Sequence, residues 1–384
     1  MKKAFYVRFT YTNTISDNLG IWMVIPYEAG IRGVQPEQVC RLETGEELGY
    51  VVLEEGDRME VGWTQEEYEP RQQLLTEEAR TFYLRDTTLS PKEKVREKAL
   101  ELTDHVADPK EKARAIFFHI VEDYRYVYPP QSRGVVSFLE TQKGDCGEFS
   151  FLFAAMCRSV GIPACTVVGS WAYGKMNAHV WNECYVDGEG WIPVDTSMAN
   201  VQKRQPLRFF SSDVPTLYWK KYFGQTEGRR IVFSLDAEPP LVPSYEEVED
   251  PLYVNAMPIN GQSFCWGQQS LDGAAPYLQP IYIKMDHVPE RDLSVTELLG
   301  SWKVKGPALL EGTSYIKKAT FFIGIISVVL SFFMDRVVFD ALFTGAFAFY
   351  SLSCLLRKER VMVFGILFIL MILSFSAAVD KIVS

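Results

Sequence analysis

The sequence predicts an α+β fold in three parts. A β-rich amino-terminal region precedes a core in which a helix packs on an antiparallel sheet, and membrane-spanning helices follow. Three observations carry this. Apolar residues alternate over residues 4–12, the period of a half-buried strand. A capped helix start at 144–149 is followed by a strand–turn–strand pattern over 179–195. Residues 319–384 are dominated by long apolar segments.

In the first region, 1–80, Phe5, Val7, Phe9 and Tyr11 share one face. Residues 21–25 and 59–63 alternate as well, and Gly, Asp and Glu clusters separate these pieces. Arg8 and the polar alternation break any signal-peptide core.

The second region, 81–205, opens with two helix starts, Ser90-Pro91-Lys92-Glu93 and Asp108-Pro109-Lys110-Glu111. Each is a capping box with Pro at the first helical position. The helices run to about His105 and about Tyr124. The second buries Ala113, Ile116, Phe117 and Ile120, leaving His119 on the solvated face beside Lys112 and Asp123. A third helix runs from Cys146, after the box Asp145/Glu148, to about Val160, where Gly161 and Pro163 stop it.

Residues 179–186 then read as a strand with His179, Trp181, Glu183 and Tyr185 on one face. Asp187-Gly188 turns the chain, and a second strand runs from Trp191 to Asp195. A loop of Val186-Asp187-Gly188 pairs Tyr185 with Glu189 and sets His179 directly opposite Asp195. A loop closing on Gly190 separates the two unless a bulge restores contact.

Residues 206–300 are Pro-rich and acidic, with strand-like pieces at 231–235 and 280–284. They read as an irregular β-containing extension. Leu293 to Trp302 suits a short helix, and 301–318 a juxtamembrane linker. Three spans follow, at about 319–334, 337–356 and 361–379. Lys303, Lys305, Lys317, Lys318, Arg357, Lys358 and Arg360 then share one side, against Arg336 and Lys381 on the other. The positive-inside rule puts the large amino-terminal part in the cytoplasm.

Composition narrows the function. The 384 residues carry a net charge of −10, with no basic run interleaved with aromatics, which argues against nucleic acid. The seven Cys are odd in number and include no C-x-x-C pair, so a structural zinc site has no starting point. Separate reduced thiols point to a reducing compartment. No D-x-D-x-D-G calcium loop occurs, and no metal or cofactor is expected.

The chemistry concentrates at three residues. Cys146, in the first turn of a helix, sits where the dipole lowers a thiol pKa and where free N–H groups can hold an oxyanion. Gly147 leaves room for a substrate backbone. With His179 as base and Asp195 fixing its tautomer, the set is a nucleophile–base–orienter arrangement. Each residue also has a plainer reading: a buried helix-start Cys, a satisfied strand His and a turn Asp.

Residues 141–200 resemble the transglutaminase-like superfamily, which has a papain-like core. The resemblance rests on G-D-C-G-E-F, then R-S-V-G-I-P, A-H-V-W-N-E-C-Y-V and G-W-I-P-V-D-T. It implies Cys146, His179 and Asp195 as the catalytic triad. It extends to about residue 75, and the first region is similar to the β-sandwich that precedes the core in some bacterial members. Papain-like enzymes use an upstream Gln or an aromatic as second oxyanion donor. That makes Gln142 a candidate, with a solvated loop Gln as the alternative; Trp171 and Trp181 are cleft walls or core packing.

The expected function is a membrane-anchored thiol hydrolase acting on peptide or protein amide bonds. A transamidase joining a Gln carboxamide to an amine needs the same acyl-thioester. A peptide-binding scaffold that retains the fold without chemistry is a third reading, and a transport component built from the spans a fourth. Oligomeric state has no signal in the sequence.

Overall fold

The computed structural model describes residues 3–209, 212–214, 216–252, 256–285, 287–333 and 335–383. The chain divides into two compact units, Met1–Val201 with Lys220–Lys305, and Gln202–Trp219 with Gly306–Ser384.

The first unit begins with six strands: β1 (Ala4–Thr12), β2 (Asn18–Ile25), β3 (Gly30–Gly33), β4 (Gln38–Arg41), β5 (Glu47–Glu54) and β6 (Arg58–Glu66). The alternation expected for β1 is present: Phe5, Val7, Phe9 and Tyr11 are buried and the residues between them are not. Helices α1 (Glu77–Tyr83), α2 (Arg96–Thr103) and α3 (Pro109–Asp123) follow. Asp108 caps α3, accepting from the Lys110 and Glu111 N–H groups. His119 is not solvated as expected: its side chain is only 10 % exposed and Nδ1 lies 2.7 Å from Asp123.

Next come β7 (Arg125–Tyr126), α4 (Val135–Thr141), β8 (Lys143–Gly144), α5 (Cys146–Ser159), β9 (Ala164–Trp171), β10 (Gly174–Lys175), β11 (Ala178–Val186), β12 (Gly190–Val194) and α6 (Thr196–Arg204). Beyond them lie β13 (Arg230–Leu235), β14 (Ile281–Met285), α7 (Val295–Leu299) and β15 (Ser301–Lys305).

Three sheets organise the unit. Two are built largely from the amino-terminal strands, in the orders β10-β15-β1-β6-β3 and β14-β2-β5-β4. Met23 and Val51 of one and Met59 and Val61 of the other line a common small hollow, so the two face each other. The third sheet, β12-β11-β9-β13, carries α5. The extension is therefore dispersed: β13 completes the third sheet, and β14 completes an amino-terminal one. Residues 301–305, expected as linker, form β15, paired antiparallel to β1 from Ser301–Thr10 to Lys305–Tyr6. Such pairings join residues almost 300 apart and leave no local pattern to read.

The β11–β12 hairpin corrects the expected register. Val186 pairs with Gly190 and Tyr185 with Trp191, so Asp187-Gly188-Glu189 is the loop. Gly188 and Gly190 both hold positive φ, at 84° and 83°, so either glycine suits the turn and the hairpin closes on the later one. The register shifts by two, and Asp195 is no longer directly opposite His179.

In the second unit, α8 (Ala308–Leu330), α9 (Arg336–Leu356) and α10 (Val361–Val383) are each long and apolar enough to cross a membrane. The first helix ends at Leu330, short of the expected 334, which itself lies outside the described residues. Lys317 does not snorkel to water. It is 1 % exposed, and its ammonium donates to Glu359 at 2.7 Å and to the Ser212 carbonyl at 3.1 Å. Arg357 donates to the other Glu359 oxygen at 2.7 Å, and Lys318 pairs with Asp213 at 2.6 Å. Ser212 and Asp213 are thus pinned to the charged end of the helices.

Candidate active site

Asp145 starts α5. Its side chain accepts from the Gly147 N–H at 2.8 Å, and Glu148 reaches back to the Asp145 N–H at 3.0 Å, closing the capping box. Cys146 is the first helical residue and is partly exposed. Its sulfur accepts from the Val180 N–H on β11, next to His179. Among the described residues no hydrogen bond joins Cys146 to His179. Burial pushes the Cys146 thiol well up, and the Asp145 carboxylate adds to this. Arg133 and the Val180 N–H oppose them without prevailing. The helix start alone therefore does not make the thiolate here: the capping carboxylate beside it is itself an anion.

His179 is 5 % exposed. Trp171 stacks on its ring with centroids 4.3 Å apart and planes 18° apart, and Trp181 lies at 6.0 Å and 20°. These contacts and one hydrogen bond fix the imidazole: Nε2 lies 2.7 Å from Asp195 Oδ2. With the shifted register, the contact is a diagonal one, from a residue just past the end of β12. No bulge in the hairpin is involved. Asp195 leaves the strand as the start of α6, where Oδ1 accepts from the Met198 N–H at 2.8 Å and from Ser197 Oγ at 2.9 Å. Among the described residues, no hydrogen bond is made to Nδ1 of His179.

Arg230, on β13, was not signalled by any motif. It is completely buried, with Nη1 2.8 Å from Asp195 Oδ2 and Nε 2.7 Å from Glu227. Its guanidinium lies over the rings of Trp171 and Trp181 at 5.1 and 5.0 Å. Burial would raise the Asp195 pKa, but His179 and Arg230 overcome it and hold the carboxyl far below its usual range. Gly169, paired with His179 across β9 and β11, permits this packing: a Cβ there would stand 2.0 Å from the Ile231 carbonyl and 2.9 Å from the Trp181 ring.

The other candidates divide. Gly147 is buried at the site, and its missing side chain leaves room for Arg133, whose Nη1 would lie 3.2 Å from a Cβ. Its N–H is already taken by Asp145, so it is not an oxyanion donor. Gln142 is not brought to the site: it is exposed, left-handed at φ 53°, and ends α4. Its carbonyl accepts from Arg125 as the chain enters β8, and it is not among the residues lining the cavity at Cys146. Trp181 is core, packed edge-on against Tyr68 at 5.2 Å.

Arg133 is a second residue without a sequence signal. It bridges Asp145 at 2.7 Å and Glu148 at 3.1 Å. Its backbone is tied to the extension, donating to Pro258 and accepting from Asn260. Among the described residues no group of three or more His, Cys, Asp or Glu side chains gathers to hold a metal.

Residues 96–196 match the model of the transglutaminase-like superfamily core, so the chain carries a transglutaminase-like domain. No curated protein matches the chain. Among solved structures, a candidate cysteine protease from Cytophaga hutchinsonii aligns at 12 % identity and a TM-score of 0.47, over 80 % of this chain and 98 % of its own. A candidate protease from Parabacteroides distasonis aligns at 16 % identity and a TM-score of 0.26, over 48 % of this chain and 42 % of its own.

Proposed function

We propose that this transglutaminase-like domain is a thiol enzyme that cleaves amide bonds through an acyl-thioester on Cys146. The observation that carries the reading is the placement of His179. Its Nε2 is committed to Asp195, which leaves Nδ1 as the basic nitrogen one residue from the backbone N–H that touches the Cys146 sulfur. Nδ1 takes the thiol proton as the sulfur attacks the carbonyl carbon. The Cys146 N–H, in the first helical turn, faces the developing oxyanion. The imidazolium then protonates the leaving amine, and water, deprotonated by the same nitrogen, releases the acid. Asp195 stays ionised throughout and holds the imidazole tautomer.

The raised thiol pKa favours a second reading, a peptide-binding scaffold with an inert Cys146. One experiment separates them. The full chain in detergent micelles is given an N-acetyl peptide amide, with and without methylamine, and its intact mass and products are followed. The thiol-enzyme reading expects the acyl mass on Cys146, its loss in Cys146→Ala, and free acid as the product. Methylamide as the main product when amine is present identifies a transamidase. No acylation under any condition contradicts the reading and leaves the scaffold.

The three helices of the second unit anchor the enzyme. The clustering of Lys317, Lys318 and Arg357 at one end favours that end, and the catalytic unit, facing the cytoplasm.

A further inference from the structure

The walls around Cys146 bear on which acyl groups it accepts. Cys146 opens onto a cavity of about 460 Å³, within the size of small-molecule sites. Its near wall is core: Phe151 of α5, Val168 of β9 and Val180 of β11. Its other wall comes from the extension, with Met257, Trp266 and Leu298, and from β15, with Trp302. The two walls are stitched together beside the thiol. Arg133 exchanges backbone hydrogen bonds with Pro258 and Asn260, and the Asn260 side chain accepts from Val136 and donates to Thr88. The extension therefore shapes the cavity while leaving it open.

Its polarity is one-sided. The charged residues lining it are Arg133 and Asp145, and they neutralise each other at 2.7 Å. The Gln279 amide is spent on the Gly169 carbonyl at 3.1 Å. A charged substrate side chain entering here loses its hydration and gains no free counter-charge. A slender Gln side chain fills little of the volume. A bulky apolar group buries its surface against two tryptophans, a methionine and a leucine.

Resting on the thiol-enzyme reading, we infer that the acyl donor is a peptide bearing an aromatic or branched aliphatic side chain beside the scissile carbonyl. Met257, Trp266, Leu298 and Trp302 are its selectors.

The test uses N-acetyl-aminoacyl chloromethyl ketones with Phe, Leu, Gln or Asp side chains on the full chain in detergent. The Cys146 sulfur attacks the chloromethyl carbon, the C–S bond forms as the C–Cl bond breaks, chloride leaves, and the thiol proton passes through His179 to buffer. Rates at Cys146 are read by peptide mass and divided by the iodoacetamide rate, which reports the thiol alone. Phe and Leu reagents are expected to react at least about tenfold faster than Gln and Asp reagents, the scale of one buried apolar side chain. Leu298→Asp, at a half-buried position and checked by its melting temperature, is expected to abolish that preference. Equal normalised rates for all four reagents overturn the apolar selectivity and leave Cys146 as nucleophile. A Cys146 inert to all reagents, iodoacetamide included, overturns the thiol reading and this inference with it.

Discussion

Two buried guanidiniums flank the site, Arg230 beneath His179 and Arg133 beside Cys146, and each sits between two carboxylates. The outcomes are opposite. On the Arg230 side, Asp195 is driven far down and stays ionised. On the Arg133 side, Glu148 is pushed up to about 7 by burial, with Asp145 adding to the shift. Neighbouring charge comes first: His179 and Arg230 both favour the Asp195 anion, whereas Arg133 at Glu148 is opposed by the Asp145 carboxylate, and hydrogen bonds to the charged form add to the difference. Asp195 accepts from His179, Ser197 and Met198 at 2.7–2.9 Å, with Arg230 at 2.8 Å. Glu148 has one N–H at 3.0 Å and shares a single Arg133 nitrogen, at 3.1 and 3.2 Å, with a nearer Asp145. The same ingredients thus make a fixed anion where an imidazole must be oriented, and a titrating acid at the start of the nucleophile's helix.

The largest effect expected from breaking this pair is at Arg230. Arg230→Met leaves Asp195 and Glu227 buried without a cation and should cost about 3–5 kcal/mol, seen as a large drop in the fluorescence-monitored melting temperature. Arg133→Met should cost less at pH 6 than at pH 8, because Glu148 gains a proton as the pH falls below about 7. Equal costs at both pH values would erase the distinction between the two sides.

A smaller effect is the pH profile of stability. The depressed Asp195 contributes stability that is present above the ordinary carboxyl value of about 3.9 and lost as pH falls. The raised Glu148 acts the other way: the folded chain binds more protons between about 4.3 and 7, so stability declines as pH rises through that window. Glu148→Gln keeps an acceptor for the Asp145 N–H and should flatten that decline in melts at pH 5 and 8 while sparing the acid limb. A profile unchanged by Glu148→Gln would show that Glu148 does not titrate there.

The smallest expected change is at Gln142. It is exposed and does not line the cavity at Cys146, so Gln142→Asn, which tolerates the left-handed backbone, should alter acylation by less than about twofold. A loss comparable to that of a catalytic residue would return Gln142 to the site.

How far the sequence could be read follows the range of each signal. The start of α5 was legible because a capping box is local, and the end of β11 because the Asp187-Gly188 turn signal is local. The hairpin register was two residues off because Asp187-Gly188-Glu189-Gly190 offers two glycines for one turn. Arg230 lies beyond a 34-residue excursion from Asp195 and sits in no motif, so only the fold brings it under the histidine. Arg133 was equally hidden: nothing near it in the chain names Asp145 as its partner. The cavity wall was illegible for the same reason: Met257 and Trp266 come from a stretch whose sequence reads as irregular, and the short helix read around Leu298 carries no sign of what it faces.

The central claim is that His179, oriented by Asp195, is the base for Cys146. The most direct measurement is the single-turnover acylation rate of Cys146 by N-acetyl-phenylalanine p-nitrophenyl ester in the full chain, wild type against His179→Ala and Asp195→Asn, each with its melting temperature. A loss of about 10²–10⁴-fold in His179→Ala, with a retained melting transition, is the predicted result. Wild-type rates in both variants, with the acyl group still on Cys146, would contradict it.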